Sequence, residues 1–112
     1  MDVHYIKLAG TEYPACFSMA ATEDIVAAFG GLTTMSDELA RQDIGSVGKM
    51  LGILVNAGYE YCELAGISCP PRPKGRLTAL LSIKETEAVV KQLFEIMSED
   101  AGRTVEVRSK NA

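Results

Sequence analysis

The sequence predicts an α+β fold: a mostly α-helical single domain that carries an N-terminal β-hairpin. Three observations indicate it. The chain has 112 residues, which is a common size for one domain and enough to bury a small core. Residues 3–17 contain two extended runs around a glycine-containing turn. Two later segments repeat apolar residues at helical spacing. We therefore expect residues 1–112 to fold as one domain.

The hairpin is predicted from the opening residues. Residues 3–8 alternate loosely, residues 10–12 supply a turn, and residues 13–17 form a second extended run. Two strands alone are not stable, so we expect the hairpin to lie against the last two long helices or to pair with another chain. Cys16 is expected to be a small core residue. The predicted packing residues of this region are Tyr5, Ile6, Leu8, Tyr13 and Phe17 against Ile25 and Phe29.

Two short helices are expected next, over about residues 19–30 and 36–43. Ser18 and Ser36 precede helical residues at the N-cap position, where a side-chain oxygen accepts a hydrogen bond from a free backbone amide. The glycine pair after Phe29 ends the first helix. Alternatively, the second segment continues the first helix beyond a kink at these glycines.

A longer helix is predicted over about residues 46–63. Each of its glycines costs roughly 1 kcal/mol against alanine in a helix interior. We therefore expect this helix to pack closely against another backbone, with Gly48 and Gly52 as the contact surface, or to form an oligomer contact there. Its predicted inward residues are Val47, Leu51, Leu54, Val55 and Cys62, with Met50 and Tyr59 at the edges.

The last helix is predicted over about residues 83–101 and opens with a capping box of Ser82 and Glu85. Residues 104–108 alternate like a short strand or form a tail, and residues 109–112 are expected to be a disordered tail. Truncation of Phe94 is expected to cost several kcal/mol, as for a core aromatic residue. The predicted buried stripe consists of Ile83, Val89, Val90, Leu93, Phe94 and Met97.

A proline-rich basic loop over residues 68–76 separates the two long helices. We expect it to be exposed and mobile because it has prolines and charges but no apolar anchor. It is either a solvated connector or a segment that orders on binding a partner. Residues 77–82 after it form a helical turn or a strand. The candidate partner-binding residues of the loop are Pro70, Pro71, Arg72, Pro73, Lys74 and Arg76.

Composition excludes several classes of partner. The formal net charge of −4 argues against nucleic-acid binding and against adhesion to an anionic membrane. The longest uncharged apolar stretch is about half of a membrane span, and the opening residues lack a signal-peptide pattern. The odd number of cysteines indicates free thiols, and a disulfide between Cys62 and Cys69 is disfavoured. We therefore expect a cytoplasmic protein.

The sequence offers no catalytic or metal-binding constellation. His4 is the single histidine, and no acidic neighbour is fixed for it by sequence. The cysteine and histidine spacing does not match a zinc site, and residues 45–50 lack the spacing of a phosphate-binding loop. Adjacent carboxylates on a helix do not face each other, so we expect only solvated faces or helix N-terminal charge at Glu23–Asp24, Asp37–Glu38 and Glu99–Asp100. We predict a protein that is not an enzyme and holds no cofactor or metal.

The opening segment YIKLAGTEYPACFSMAATEDIVAAFGGL resembles the start of tail assembly chaperones from long-tailed phages and prophages of Gram-positive bacteria. That family begins with a short hairpin, a Tyr-Pro step, a Phe-Ser pair and a helix that ends in Phe-Gly. The rest of the chain is similar in outline only. The matching positions are Ile6, Leu8, Gly10, Tyr13, Pro14, Phe17, Ser18, Phe29 and Gly30.

The resemblance implies a non-catalytic function in the host-cell cytoplasm. Tail assembly chaperones coat the tape measure protein during tail building, are displaced as the tail tube protein polymerises, and tend to self-associate. The resemblance thus implies these two proteins as partners and a homo-oligomer. Glycine-rich helix surfaces and spare methionines would suit a long helical client. The alternatives are a structural tail-completion or head–tail connector protein, or an unrelated bacterial adaptor or regulatory module.

Overall fold

The computed structural model describes residues 2–111, and the side chains of residues 2–101. A hairpin of β1 (His4–Leu8) and β2 (Thr11–Ala15) precedes the helices α1 (Met19–Phe29), α2 (Leu32–Ala40), α3 (Ile44–Ala65) and α4 (Thr86–Asn111). Short 3-10 turns at Leu77–Leu80 and Ile83–Glu85 lie between α3 and α4. The predicted α+β class and the N-terminal hairpin are confirmed.

The two strands of the hairpin are joined by a two-residue turn. Ala9 and Gly10 both have positive φ, 49° and 86°, which is the pattern of a type I′ turn and suits the twist of antiparallel strands. Leu8 pairs with Thr11, the first residue of β2. The turn therefore consists of residues 9 and 10, whereas the sequence predicted a turn at residues 10–12. The prediction was wrong because the position of the glycine does not show that the turn has only two residues.

The hairpin lies on α3 through a contact between two backbones. A Cβ atom added at Gly58 would lie 2.4 Å from the carbonyl carbon of Pro14 and 2.5 Å from the nitrogen of Ala15. Beside this crossing, the Cys16 amide donates a hydrogen bond to the Leu54 carbonyl at 3.0 Å. Any side chain larger than hydrogen at this point of α3 would separate strand and helix. The expected close packing of a glycine therefore exists, but at Gly58.

A buried carboxylate on α4 holds both ends of the hairpin. The Asp100 side chain is 3% exposed, and its Oδ1 lies 3.0 Å from Nε2 of His4. Its Oδ2 accepts a hydrogen bond from the Phe17 amide at 3.0 Å, and Glu99 lies 3.6 Å from the other ring nitrogen of His4. The expectation of a solvated Glu99–Asp100 face is thus wrong for Asp100. Its environment depends on where α4 meets the hairpin, which local composition does not encode.

α1 agrees with the prediction. Ser18 Oγ accepts a hydrogen bond from the Ala21 amide at 3.1 Å, which satisfies one free donor of the first turn. Gly30 ends the helix in the left-handed region at φ 85°, where glycine is favoured.

α2 differs from the prediction of a helix over residues 36–43. It spans Leu32–Ala40, so Ser36 lies inside the helix and is not its N-cap. Gly31 precedes the helix in an extended conformation, with φ and ψ both at 166°. The chain therefore leaves helical geometry between α1 and α2, and the alternative of one kinked helix is also wrong.

The junction between α2 and α3 is a polar cluster around Ser46, which is buried. Asp43 caps α3, and its Oδ2 accepts hydrogen bonds from the Ser46 amide at 3.0 Å and from the hydroxyl at 2.7 Å. These hydrogen bonds lower the pKa of Asp43. The hydroxyl is also within hydrogen-bond distance of a Glu38 oxygen. Glu38 is therefore engaged with α3, whereas the sequence predicted only a charged helix face.

The segment after the loop forms the predicted helical turn, in 3-10 geometry at Leu77–Leu80. The capping box is also present: the Ser82 amide donates to Glu85 Oε1 at 2.9 Å. It opens the 3-10 turn Ile83–Glu85, and α4 follows from Thr86.

The C-terminal part of α4 corrects the prediction. The helix continues through Asn111, so the short strand over residues 104–108 and the tail from residue 109 are both wrong. In the described sheet β1 and β2 pair only with each other. A helix satisfies the backbone groups of this segment without a partner strand. Ala112 lies outside the described residues.

The core lies between the hairpin and the inward faces of all four helices. On α3 the predicted inward residues are buried, and Met50 and Tyr59 are buried as well. On α4, Leu93 is fully buried but Phe94 is only half-buried, and Ile83 in the preceding 3-10 turn is 78% exposed. Ile96 is buried although it was not predicted. In the hairpin Ile6 and Leu8 are buried, whereas Tyr5 is 46% exposed.

Gly58→Ala tests the backbone crossing. Alanine favours a helix over glycine by roughly 1 kcal/mol, but its methyl group would overlap the backbone of β2. We expect the free energy of unfolding to fall by about 1–3 kcal/mol, as measured by urea denaturation. Gly52→Ala in the same helix is the control, because its Cβ would meet nothing within 4 Å. That variant should gain up to about 1 kcal/mol, and equal effects at both sites would contradict the crossing.

Leu93→Ala and Phe94→Ala test the orientation of α4. Leu93 is fully buried, so its truncation should cost about 2–5 kcal/mol. Phe94 packs against the core from its edge, so its truncation should cost less than that of Leu93, against the prediction from sequence. Thermal denaturation of both variants measures the difference. A larger loss for Phe94→Ala would contradict the observed orientation.

Candidate functional site

The proline-rich loop is tied to α3 by Arg72. Its Nε and Nη2 donate to the two carboxylate oxygens of Glu63 at 3.1 and 3.0 Å, and Nη1 donates to Asn56 Oδ1 at 2.8 Å. This bidentate geometry is the stronger form of an arginine–carboxylate pair. The hydrogen bonds from Arg72 lower the pKa of Glu63.

Tyr59 supplies a second attachment. Its hydroxyl donates to the Pro71 carbonyl at 3.1 Å, and the Arg72 guanidinium lies 5.1 Å from the centre of its ring. Burial raises the pKa of Tyr59, so it is a hydrogen-bond donor at neutral pH. Residues 71–76 are exposed as predicted, but the loop is attached to α3 by polar contacts that were not predicted from the sequence. Asn56, Tyr59 and Glu63 lie three and four residues apart on one helix face, and this spacing was the signal available in the sequence.

The anchored loop and α3 enclose a cleft of about 580 Å³. Gly45, Gly48 and Gly52 form its floor, and Val55 and Tyr59 continue the same stripe of α3. A Cβ at Gly52 would enter open space, and one at Gly48 would lie 3.2 Å from the Thr78 methyl group. The expectation that Gly48 and Gly52 pack against another backbone is therefore not met within this chain. They expose the helix backbone to the cleft instead.

A smaller cavity of about 90 Å³ continues the cleft toward α4. The two share Ile44 and Thr78, and Val47, Leu81 and Val89 line the second. Its rim carries Ile83, and the shared Ile44 is 58% exposed. We call the cleft and the cavity together the α3 groove. Large apolar side chains beside a concave surface are typical of an interaction site.

The charged residues that line the α3 groove are all basic. Lys49, Arg72 and Arg76 line the cleft, and its lining contains no Asp or Glu. Arg72 is neutralised by Glu63. Lys49 lies 5.6 Å from the centre of the Phe29 ring, and within the described side chains neither Lys49 nor Arg76 has a carboxylate in salt-bridge distance. Of the predicted loop residues, Arg72, Pro73 and Arg76 reach the groove, whereas Pro70, Pro71 and Lys74 do not line it.

The cysteines are free thiols in the structure. Burial raises the pKa of Cys16 to about 11, and burial together with a hydrogen bond to Cys69 raises the pKa of Cys62 to about 12. Cys16 lies close to His4 and Asp100, a grouping that resembles a nucleophile with its base. However, Cys16 has no exposed surface and is a protonated thiol at neutral pH, so these residues pack the hairpin against α4.

Comparisons of the chain with protein-family models, with curated proteins and with solved structures found no match. The resemblance to tail assembly chaperones therefore stays a prediction. Among the described residues, no group of His, Cys, Asp and Glu side chains is arranged to hold a metal ion. No helix in the described part of the chain is both long and apolar enough to cross a membrane.

Glu63→Ala tests whether the Arg72 attachment restrains the loop. Loss of this exposed ion pair weakens the attachment of the loop modestly, so trypsin should cleave after Lys74 and Arg76 roughly two- to fivefold faster. Glu60→Ala is the matched control, because Glu60 is an exposed carboxylate of α3 that does not pair with Arg72 in the observed contacts. Equal cleavage rates in both variants would contradict the attachment.

Proposed function

We propose that this protein is a non-catalytic tail assembly chaperone of a phage or prophage, with the tape measure protein as its client. The observation that carries the proposal is the α3 groove. The chain places large exposed apolar side chains, Ile44 and Ile83, on the rim of a cleft that is lined by glycines. Burying such apolar side chains against a partner is more favourable in free energy than leaving them exposed to water.

The shape of the groove favours a helical client segment. Gly45, Gly48, Gly52, Val55 and Tyr59 follow a three–four spacing along α3, which is the spacing of a seam between two packed helices. Glycines at the open end of this seam allow a second backbone to approach closely. The apolar cavity beyond Thr78 can take side chains from successive turns of that client helix.

The resemblance of the opening segment supports the same proposal at the level of architecture. Gly10 forms the turn, Ser18 and Gly30 cap α1, and Pro14 crosses α3 at Gly58. The shared residues therefore specify how the hairpin and α1 are built. The binding of a client is supported by the groove, which lies elsewhere on the molecule. Displacement of the chaperone by the tail tube protein and a location in the host-cell cytoplasm are parts of the proposal that rest on the resemblance.

Co-expression with the tape measure protein of the same phage or prophage tests the function. We expect the soluble fraction of the tape measure protein to rise and the two proteins to co-elute in size-exclusion chromatography. Unchanged solubility and no complex would overturn the proposal. Mass spectrometry of purified particles separates the alternatives, because a chaperone should be missing and a tail-completion or connector protein should be present.

Gly52→Leu is the variant that links binding to the groove. It replaces a helix-destabilising glycine and projects a side chain into open space, so the fold should be at least as stable. The same side chain fills the cleft, so we expect the complex with the tape measure protein to be lost. Gly52→Ala serves as the control, because a methyl group leaves most of the cleft open.

A further inference from the structure

We propose that the segment bound in the α3 groove is an amphipathic helix whose acidic residues face Lys49 and Arg76. This inference rests on the proposed function in taking the groove as the binding site for a protein segment. It adds the chemistry and the orientation of that segment.

The charge of the cleft is opposite in sign to the net charge of the chain. The whole chain has 15 acidic and 11 basic residues, yet the lining of the cleft contains Lys49, Arg72 and Arg76 and no carboxylate. An acidic chain that presents one cationic concave surface is complementary to an acidic partner and repels a basic one.

Two of the three basic side chains in the cleft are available to pair with a partner. The charge of Arg72 is used by Glu63, which it meets through two hydrogen bonds. Lys49 lies over the Phe29 ring and attracts Asp43 without forming a salt bridge with it, and Arg76 is exposed beside the cleft. These two side chains can therefore take new carboxylate partners without breaking an internal ion pair.

The lining of the groove changes from charged to apolar along its length. The cavity that continues the cleft is lined by Ile44, Val47, Leu81, Ile83 and Val89 together with hydroxyl residues, and by no charged residue. The occupant must therefore be acidic toward the loop and apolar toward α4. A helix with carboxylates on one side and leucine-like residues on another meets both requirements.

A small anion fits the site less well than a helix. Asp43 already caps the N-terminus of α3, and its carboxylate lies 3.7 Å from the position of a Cβ on Gly45. This negative charge opposes a phosphate at the helix end. The seam of glycines and apolar residues also offers contacts that a phosphate cannot use. The geometry thus favours a peptide with carboxylates spaced along it.

The test uses two synthetic amphipathic peptides of about 18 residues, which is five helical turns. Both have the same leucine and alanine face, and their polar faces carry glutamate in one and lysine in the other. In ¹⁵N-labelled protein we expect the glutamate peptide to shift the amide signals of Gly45, Gly48, Gly52 and Gly75, which line the cleft. Signals of three glycines outside it, Gly10, Gly30 and Gly66, serve as internal controls and should stay in place.

A second experiment reverses the charge of the two basic side chains. The double variant Lys49→Glu with Arg76→Glu should weaken binding of the glutamate peptide by about tenfold or more at low salt. Lys91→Glu on α4 is the control for the change in net charge of each single reversal, because Lys91 lines neither part of the groove. Its effect should be less than about twofold, and Lys49→Glu or Arg76→Glu alone should exceed it. Gly52→Leu should abolish binding while the melting temperature is kept.

The outcomes separate this inference from the proposed function. Equal binding of both peptides, no binding of the glutamate peptide, or no effect of the charge reversal would overturn the acidic helix. If the unmodified protein still forms a complex with the tape measure protein, and Gly52→Leu loses that complex, the chaperone proposal remains intact. Binding of the glutamate peptide without any tape measure complex would support the groove chemistry and overturn the client. Dimerisation that is itself lost in Gly52→Leu would assign the groove to a second copy of the chain and overturn the inference.

Discussion

The contact of β2 with α3 at Gly58 is the constraint on which the rest of the structure depends. Because Gly58 has no side chain, the backbone of Pro14 and Ala15 rests directly on the helix. This approach lets the Cys16 amide donate to the Leu54 carbonyl and places Ile6 and Leu8 in the core. A two-stranded hairpin is unstable alone. Here it is stabilised because α3 allows the backbone of β2 to approach closely at a glycine.

The polar contacts of Asp100 complete this arrangement from the other side. A buried carboxylate is tolerated only when its oxygens are hydrogen-bonded, and here His4 and the Phe17 amide occupy one oxygen each. The contact joins the beginning and the end of the hairpin to one point on α4. It therefore holds α4 against the hairpin, which itself lies on α3.

α3 thus carries two glycine surfaces with different uses. Gly58 is covered by the chain's own strand, whereas Gly45, Gly48 and Gly52 face a cleft that the chain leaves open. A helix that accepts the conformational cost of four glycines gains a core contact from one of them. The others expose backbone next to cations and apolar side chains. That combination is the physical basis of the proposal that the protein binds a partner.

The sequence by itself determined what local chemistry controls: the capping of α1 by Ser18 and Gly30, the capping box at Ser82, and the inward face of α3. Each depends on hydrogen bonds or periodicity within a few residues. Only the tertiary structure decided that Asp100 is buried, that Arg72 is bound by Glu63, and that Gly58 is covered while Gly52 is open. The partners of Asp100 lie 96 and 83 residues away along the chain. No local pattern distinguishes such a carboxylate from a solvated one, because its environment exists only after the hairpin and α4 have packed together.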